Sequence, residues 1–420
     1  MSDTETRSST VDDPWAMPLE HIDVSRSELY ARDEQGAYFE RLRREDPVHY
    51  CPDSATGPYW SVTKFDDIKY VDTHHDLFSS EAGGIAIADQ EAEMEVRLVN
   101  FIAMDPPRHD EQRKIVAPSV APANLANLEP VIRERAADIL DHLPVGETFN
   151  WVDHVSIELT ARMLATLFDF PFEDRRKLVY WSDVTTSSPQ LMGEAGLPAH
   201  KRAEELESCV AAFSELWQER AAQPPRSDLI SMLAHGESTR DMPNRPEEFL
   251  GNILLLIVGG NDTTRNSISG GVLALNRFPQ EFEKLRANPG LIPNMVAEMI
   301  RWQTPVLHMR RTATRDTELG GKRIAEGDKV VMWYISGNRD ETVFESPDDF
   351  RIDRRNARSH VAFGYGIHRC MGNRLAELQL RVLWEEILKR FSRVEVVGEP
   401  RRVPNNFIRG IADLPVQVRP

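Results

Sequence analysis

Phe363-Gly-Tyr-Gly-Ile-His-Arg-Cys-Met-Gly372 places one cysteine, Cys370, at the end of a glycine-hinged loop, directly before a helical pattern. Gly364, Gly366 and Gly372 admit backbone angles with φ > 0 and leave no Cβ to block a flat group lying against the loop. Past them, apolar side chains return at Leu375, Leu378, Val382, Ile387 and Phe391, which is the helical period. Cys370 therefore falls at a helix N-terminus, where the dipole and free backbone N–H groups favour a thiolate over a thiol. A thiolate is the axial ligand that pushes electron density onto haem iron and favours O–O cleavage, so the stretch reads as a haem-thiolate site. Two other readings use the same residues. Gly364-x-Gly366 fits the start of a dinucleotide fingerprint, although Arg369 fills the third glycine position and little chain follows. Cys370 also fits a buried structural cysteine.

The chain has 420 residues, beyond the roughly 250–300 at which single cores stop growing. It nevertheless offers no linker to cut at: no internal repeat, no long Gly/Ser run and no charge block. The expectation is one domain over 16–420 behind a head, 1–15, that is rich in Ser, Thr and Asp and lacks order. Lys plus Arg total 50 and Asp plus Glu 67, a net charge of −17 that disfavours nucleic acid and anionic membranes as partners. Cys51, Cys209 and Cys370 are too scattered for a disulfide framework and fit a reducing cytoplasm. The longest strong apolar run, Ile253-Leu-Leu-Leu-Ile-Val258, is far short of a membrane span, and the N-terminus carries no leader pattern. A soluble, unanchored protein is expected. Periodicity predicts helices over 128–142, 156–168, 200–221, 246–278, 291–303 and 371–391, and strands over 59–62, 330–333 and 394–397. The fold class is mainly α with a small β portion.

The 246–278 pattern reads as one helix, begun by Pro246 and two glutamates and stopped by Pro279. At about 1.5 Å per residue it spans about 50 Å. Its centre is poorly suited to a helix: Gly259-Gly260 costs about 1 kcal/mol per glycine, and the polar run from Asn261 to Asn266 follows. Leu255, Gly259 and Thr263 share a face with Asp262 at its edge. That face offers room for a small ligand, a hydroxyl and an acid to replenish its proton, as dioxygen scission requires. The same residues also fit a plain account in which Thr263 and Thr264 bond back to carbonyls and Asp262 pairs with Arg265 or Arg301.

The segment Phe363 to Gly372 resembles the cytochrome P450 signature Phe-x-x-Gly-x-x-x-Cys-x-Gly, and Gly259 to Thr264 resembles that family's [Ala/Gly]-Gly-x-[Asp/Glu]-Thr-[Thr/Ser] motif. Glu298-Met-Ile-Arg301, by spacing an ordinary surface ion pair, resembles the family's Glu-x-x-Arg scaffold, with Arg354 after Pro347-Asp-Asp-Phe350 as third partner. His109 with Arg113, Arg311 and His368 match the family's propionate-binding positions. The resemblance covers nearly all of the chain past the head. It implies the P450 fold, a triangular α-helical prism with a small β-rich portion. It also implies haem b between the long helix and the cysteine loop, with Cys370 on iron. Gly259, Phe363 and Gly372 complete the cofactor-binding set, Asp262 and Thr263 are catalytic, and Glu298, Arg301 and Arg354 are structural. A non-catalytic haem sensor or carrier is the reading of a different class, and the intact Asp262–Thr263 pair argues against it.

Longer blocks, among them Leu256 to Ser267, Ile300 to Pro305, His308 to Ala313, Met332 to Asp340 and Cys370 to Glu377, are most similar to the soluble bacterial subfamily that hydroxylates n-alkanes and related chains at the terminal carbon. An apolar pocket wall is expected from Leu255, Val258, Val306, Leu307, Phe407 and Ile408, which suits a hydrocarbon. The 82–99 segment carries Glu91, Glu93 and Glu95 against Arg97 and offers no carboxylate clamp, so alkanes are favoured over fatty acids, with terpene or alicyclic substrates as a further alternative. The chain has no flavin or iron–sulfur motif, so electrons from NAD(P)H must arrive from outside. Arg113, Lys114, Arg369 and Arg374 on the cysteine side suit an acidic [2Fe–2S] ferredoxin served by an NAD(P)H ferredoxin reductase.

Overall fold

The periodic stretches form helices at Pro122–Asp141, Glu158–Phe168, Ala199–Ala221, Pro246–Arg277, Ile292–Gln303 and Asn373–Arg390. The structure, a computed structural model, describes residues 13–89 and 98–420. The charged loop residues Glu91, Glu93, Glu95 and Arg97, and residues 1–12 of the head, lie outside the described residues. From residue 13 the head is tied down: the Pro14 carbonyl accepts a hydrogen bond from Arg41, and the Trp15 ring lies 5.8 Å from the Arg44 guanidinium. Among the described residues no helix is long and apolar enough to cross a membrane.

The 32-residue helix Pro246–Arg277 is the axis of the molecule. Pro246 opens it where a missing N–H costs nothing, Glu247 and Glu248 face its positive end, and the chain leaves helical geometry at Phe278, ahead of Pro279. It packs against the helices Glu158–Phe168, Arg175–Thr185 and Ile292–Gln303. Gly270 and Gly271 allow that last approach, since a Cβ on either would stand under 3 Å from Gln303 or Met299. A π-type stretch, Val152–Ile157, leads into Glu158–Phe168 and sets Ser156 Oγ 2.8 Å from Ser269 Oγ on the long helix.

The β portion is small. A five-stranded sheet runs in the order Val48–Cys51, Tyr59–Val62, Lys329–Met332, Met309–Ala313 and Phe78–Ser79, with a single parallel pair, Tyr59–Val62 beside Lys329–Met332. Phe149–Asn150, Pro415–Arg419 and Arg393–Val396 form a second, three-stranded sheet.

Glu298 and Arg301 are wholly buried rather than on the surface. Glu298 accepts from Arg301 twice at 2.8 Å and from Arg354 Nε at 3.0 Å. The remaining Arg301 donors reach the carbonyls of Asn338, Pro347 and Asp349 at 2.7–3.0 Å, so both the charges and their N–H groups are satisfied. The triad joins the Ile292–Gln303 helix to the chain around 346–354.

Candidate active site

Gly364 and Gly366, both at φ 65°, let the chain double back on the Phe65–Thr73 helix. At Gly366 a Cβ would stand 2.3 Å from the Asp72 carbonyl oxygen, so no other residue fits there. Gly372 differs from expectation: its φ is −80° and it caps the Asn373–Arg390 helix, with open space where a side chain would go. The Cys370 N–H donates to the Phe363 carbonyl at 2.8 Å and closes the loop. Cys51 and Cys209 are buried thiols, whereas Cys370 is exposed. Burial nonetheless pushes the Cys370 thiol pKa up, against the lowering effect of the N–H groups of Gly372 and Asn373 and of Arg113 and Arg369.

The long helix forms part of the same region. Met371, beside Cys370, packs with Leu255 and Leu256 against one core cluster. The helix is buried from Gly251 to Leu254 and from Asn266 to Leu275, and it opens between Leu255 and Arg265. There Gly259 is exposed, Leu255, Val258 and Thr263 are half-buried, and among the described residues a Cβ on Gly259 would meet nothing within 4 Å. Thr263 Oγ1 donates to the Gly259 carbonyl at 2.9 Å, which leaves the oxygen lone pairs free to accept. Asp262 is buried beside it. Its Oδ1 accepts from Arg265 at 2.7 Å and from Asn261 at 3.0 Å, and its buried Oδ2 has no partner within hydrogen-bond distance among the described residues. Burial raises the Asp262 carboxyl to about 6 even with Arg265 opposing. Both features of the plain account, the back-bonded threonine and the Asp262–Arg265 pair, are therefore present. Thr263 nevertheless stays at the edge of the opening as an acceptor, with Asp262 buried beside it.

Three basic groups converge near Cys370. The His109 and His368 rings meet edge to face at 4.4 Å, and both side chains are buried. Among the described residues His109 Nε2 and His368 Nδ1 have no hydrogen-bond partner, while His368 Nε2 lies 3.1 Å from Ser80 Oγ. Arg113 donates to the Arg369 carbonyl. Burial drives His368 down to about 2, with Arg311, His109 and Arg113 adding to the effect. Arg311 is buried on the neighbouring strand and donates to Asp72 at 2.9 Å. Buried, unpartnered imidazole nitrogens beside arginines form a site for anionic groups, and a haem carries two carboxylates. A family model described as Cytochrome P450 matches residues 189–415.

The chain belongs to the cytochrome P450 family. Its structure superposes on cytochrome P450-153 from Novosphingobium aromaticivorans with a TM-score of 0.89 at 47% identity, over 97% of this chain and 100% of that one. For CYP153D17 from Sphingomonas sp. PAMC 26605 the TM-score is 0.90 at 50% identity, over 95% and 99%. The linalool 8-monooxygenase of Pseudomonas putida is 39% identical over 417 residues, 96% of this chain and 100% of that protein. The methyl-branched lipid omega-hydroxylase of Mycobacterium tuberculosis strain H37Rv is 33% identical over 96% of both. The fold is the mainly α P450 fold, and the activity is that of a haem monooxygenase supplied with electrons from NAD(P)H through external redox partners.

The residues present fit haem. Cys370 would hold the iron, Gly259 and Phe363 would flank the ring, and His109, Arg113, Arg311 and His368 would meet the propionates. Bound haem supplies dioxygen activation at an iron made electron-rich by its thiolate ligand. Of the residues expected in the substrate wall, Val258, Leu255, Val306 and Phe407 are half-buried, and the buried Ile408 bridges Val306. Leu307 does not belong to that wall. It is wholly buried in the N-terminal cluster with Tyr30 and Trp333, because neighbours on an extended segment point to opposite sides; Met309 is half-buried like Val306. Sequence reasoning missed Asp72, Ser80 and Asp183, which support the site through contacts no local spacing reveals, and Asn261, which donates to its neighbour Asp262. Arg265 was legible at three residues after Asp262.

Proposed function

We propose that this P450 hydroxylates the terminal carbon of medium-chain n-alkanes or related apolar chains. The observation that carries the reading is the composition of the opening. Leu255, Val258, Val306 and Phe407 are apolar, and Thr263 with Asp262 supplies a polar edge. Such a wall holds a hydrocarbon by burial and gives it no charged anchor. The omega carbon of a lipid and carbon 8 of linalool are both chain ends, which fits relatives named for attack at those positions. A terminal methyl has the strongest C–H bond of an alkane, so terminal attack requires a wall that admits only the chain end. Pro305 stiffens the approach to Val306, and the Val306–Ile408 bridge holds it from the other side.

Within the site, Thr263 accepts and donates at the edge of the opening while Asp262 holds the proton that replaces the one passed on. The likeness to linalool 8-monooxygenase supports a second reading, a terpenoid chain as substrate. Product analysis on octane and linalool separates the two. Chiefly 1-octanol from wild type, with Val306→Ala spilling product to the second carbon, supports the alkane reading, since each methylene rejected is worth only about 1–3 kcal/mol. Internal octanols as the main wild-type products overturn it. We further propose a [2Fe–2S] ferredoxin and its NAD(P)H reductase as the electron donors, on the basis of the exposed Lys114, Arg369 and Arg374 around the cysteine loop.

A further inference from the structure

His308 follows the Val306–Leu307 segment and is wholly buried. Its Nδ1 lies 2.9 Å from the Asn406 carbonyl oxygen and its Nε2 lies 3.0 Å from the Ile87 backbone nitrogen. A carbonyl only accepts and a backbone N–H only donates, so the proton must sit on Nδ1 and the lone pair on Nε2. The ring is clamped between Trp333, at 4.8 Å, and Phe407, at 5.3 Å. Burial holds the imidazole pKa down at about 3, which keeps it in this neutral form.

The two partners extend the connection. On one side, Ile87 is wholly buried, and two residues earlier the Ile85 carbonyl accepts from the Arg310 N–H at 2.7 Å. On the other, the Asn406 N–H donates to the Leu191 carbonyl at 3.0 Å, and its side-chain amide donates to Gln190 at 3.1 Å and to Ser25 at 2.6 Å. Asn405 donates to the Thr186 carbonyl at 2.9 Å. Leu307 N–H donates to the Phe407 carbonyl at 2.8 Å, beside the Val306–Ile408 bridge. Three segments remote in sequence, 85–87, 186–191 and 405–408, are thus fastened to one histidine and its neighbours.

We infer that His308 is a specificity-determining positioning residue, which with Asn406 clasps the 85–87 and 186–191 segments onto the Val306–Phe407 wall and so fixes the width of the distal opening. This rests on the proposal that Val306 and Phe407 wall the substrate site. It does not depend on terminal selectivity, because the quantity read is the change from wild type's own isomer ratio.

The test uses the haem-loaded enzyme, with His308→Leu, which removes both bonds at similar volume, and His308→Gln, which keeps a donor and an acceptor. Ile132→Val, in the main core, serves as a control that weakens packing elsewhere. With the CO-bound spectrum unchanged, His308→Leu is expected to move the octanol isomer ratio by about tenfold and to speed hydrogen exchange over residues 80–89 and 186–192, with His308→Gln nearer wild type. An isomer ratio and exchange unchanged in His308→Leu, or moved equally in Ile132→Val, overturn the inference. In wild type alone, fast exchange of the Ile87 amide also overturns it, so the clasp is testable even if His308→Leu does not fold. A wild type that makes internal octanols yet responds to His308→Leu as described removes the terminal-hydroxylase reading and leaves the clasp standing.

Discussion

Asp262 Oδ1 lies 2.7 Å from the Arg265 guanidinium, and the same guanidinium reaches Asp183 at 2.8 Å on the neighbouring helix. The acid beside Thr263 is therefore not isolated. It is connected through one arginine to a carboxylate that is half exposed to solvent.

The connection has consequences for proton delivery. Thr263→Ala removes the hydroxyl at the edge of the opening. Loss of such a proton-transfer group typically costs about 10²–10⁴-fold. Substrate binding should persist while NAD(P)H is spent on peroxide or water, which peroxide assays against product yield will measure. Arg265→Gln removes the group that favours the charged form of Asp262, so the acid's titration must move above about 6. The pH at which product yield breaks should rise with it, and an unmoved profile would mean Asp262 is not the acid that matters. The stability linkage has a definite sign. The folded-state value lies above the ordinary 3.8, so the contribution of Asp262 is fully present below 3.8 and is lost as pH rises to about 6. Asp262→Asn should remove that loss from thermal unfolding curves measured across the window.

Gly259 and Gly260 are adjacent and should respond oppositely to the same substitution. A Cβ at Gly259 meets nothing within 4 Å among the described residues, so Gly259→Ala should stabilise the haem-free protein by about 1 kcal/mol through helix propensity. A Cβ at Gly260 would stand 2.7 Å from Leu164 Cδ2, in a side chain already buried. Overpacking of that kind costs about 1–3 kcal/mol. Denaturant titration of the two variants gives the difference directly. Gly259→Ala should also narrow the opening, weakening the spectral binding response to branched substrates more than to linear ones.

How far the sequence could be read follows from where its information lies. The cysteine loop was legible because ten consecutive residues carry the hinge, the ligand and the helix start, and the long helix because Pro246 and Pro279 punctuate it. Burial of Glu298 and Arg301 was not legible from their spacing, which an exposed pair shares, and Arg354 was reached only through the family resemblance. Leu307 was misplaced because adjacency to Val306 says nothing about which side of an extended segment a residue takes. Gly372 was read as a hinge like Gly364 and Gly366, but there only the helix cap and open space constrain it. Asp72 and His308 acquire their roles from partners more than 200 residues away, as in Asp72–Arg311 and His308–Ile87. No local pattern encodes such pairs.

The Asp72–Arg311 pair separates the haem-loaded from the haem-free protein. Asp72 also accepts from the Tyr334 hydroxyl at 3.0 Å and from the Tyr365 N–H in the cysteine loop at 2.7 Å. Asp72→Asn keeps acceptors for these but leaves Arg311 buried without its counter-charge, and breaking a buried pair in this way costs about 3–5 kcal/mol. If Arg311 meets a haem propionate, the cofactor supplies a replacement anion. Denaturant unfolding should then show a larger loss in the haem-free variant than in the haem-loaded one. Equal losses would place Arg311 outside the propionate set.

The cysteine face should govern reduction. Arg369, Arg374 and Lys114 are exposed there on a protein whose net charge is −17, so an acidic ferredoxin would be steered to this face against the overall field. Arg369→Glu with Arg374→Glu reverses two charges at the surface and leaves the N–H donors of Gly372 and Asn373 in place, while removing the Arg369 charge that favours the Cys370 thiolate. Steering of this kind changes association rates by about 10–10³-fold and fades with ionic strength. Stopped-flow reduction by a [2Fe–2S] ferredoxin should therefore slow by about tenfold or more at low salt in the double variant, and the wild-type advantage should shrink as salt rises. The CO-bound spectrum should stay unchanged, which separates a docking effect from damage to the cysteine loop. Reduction rates indifferent to both the charge reversal and the ionic strength would assign electron delivery to another face.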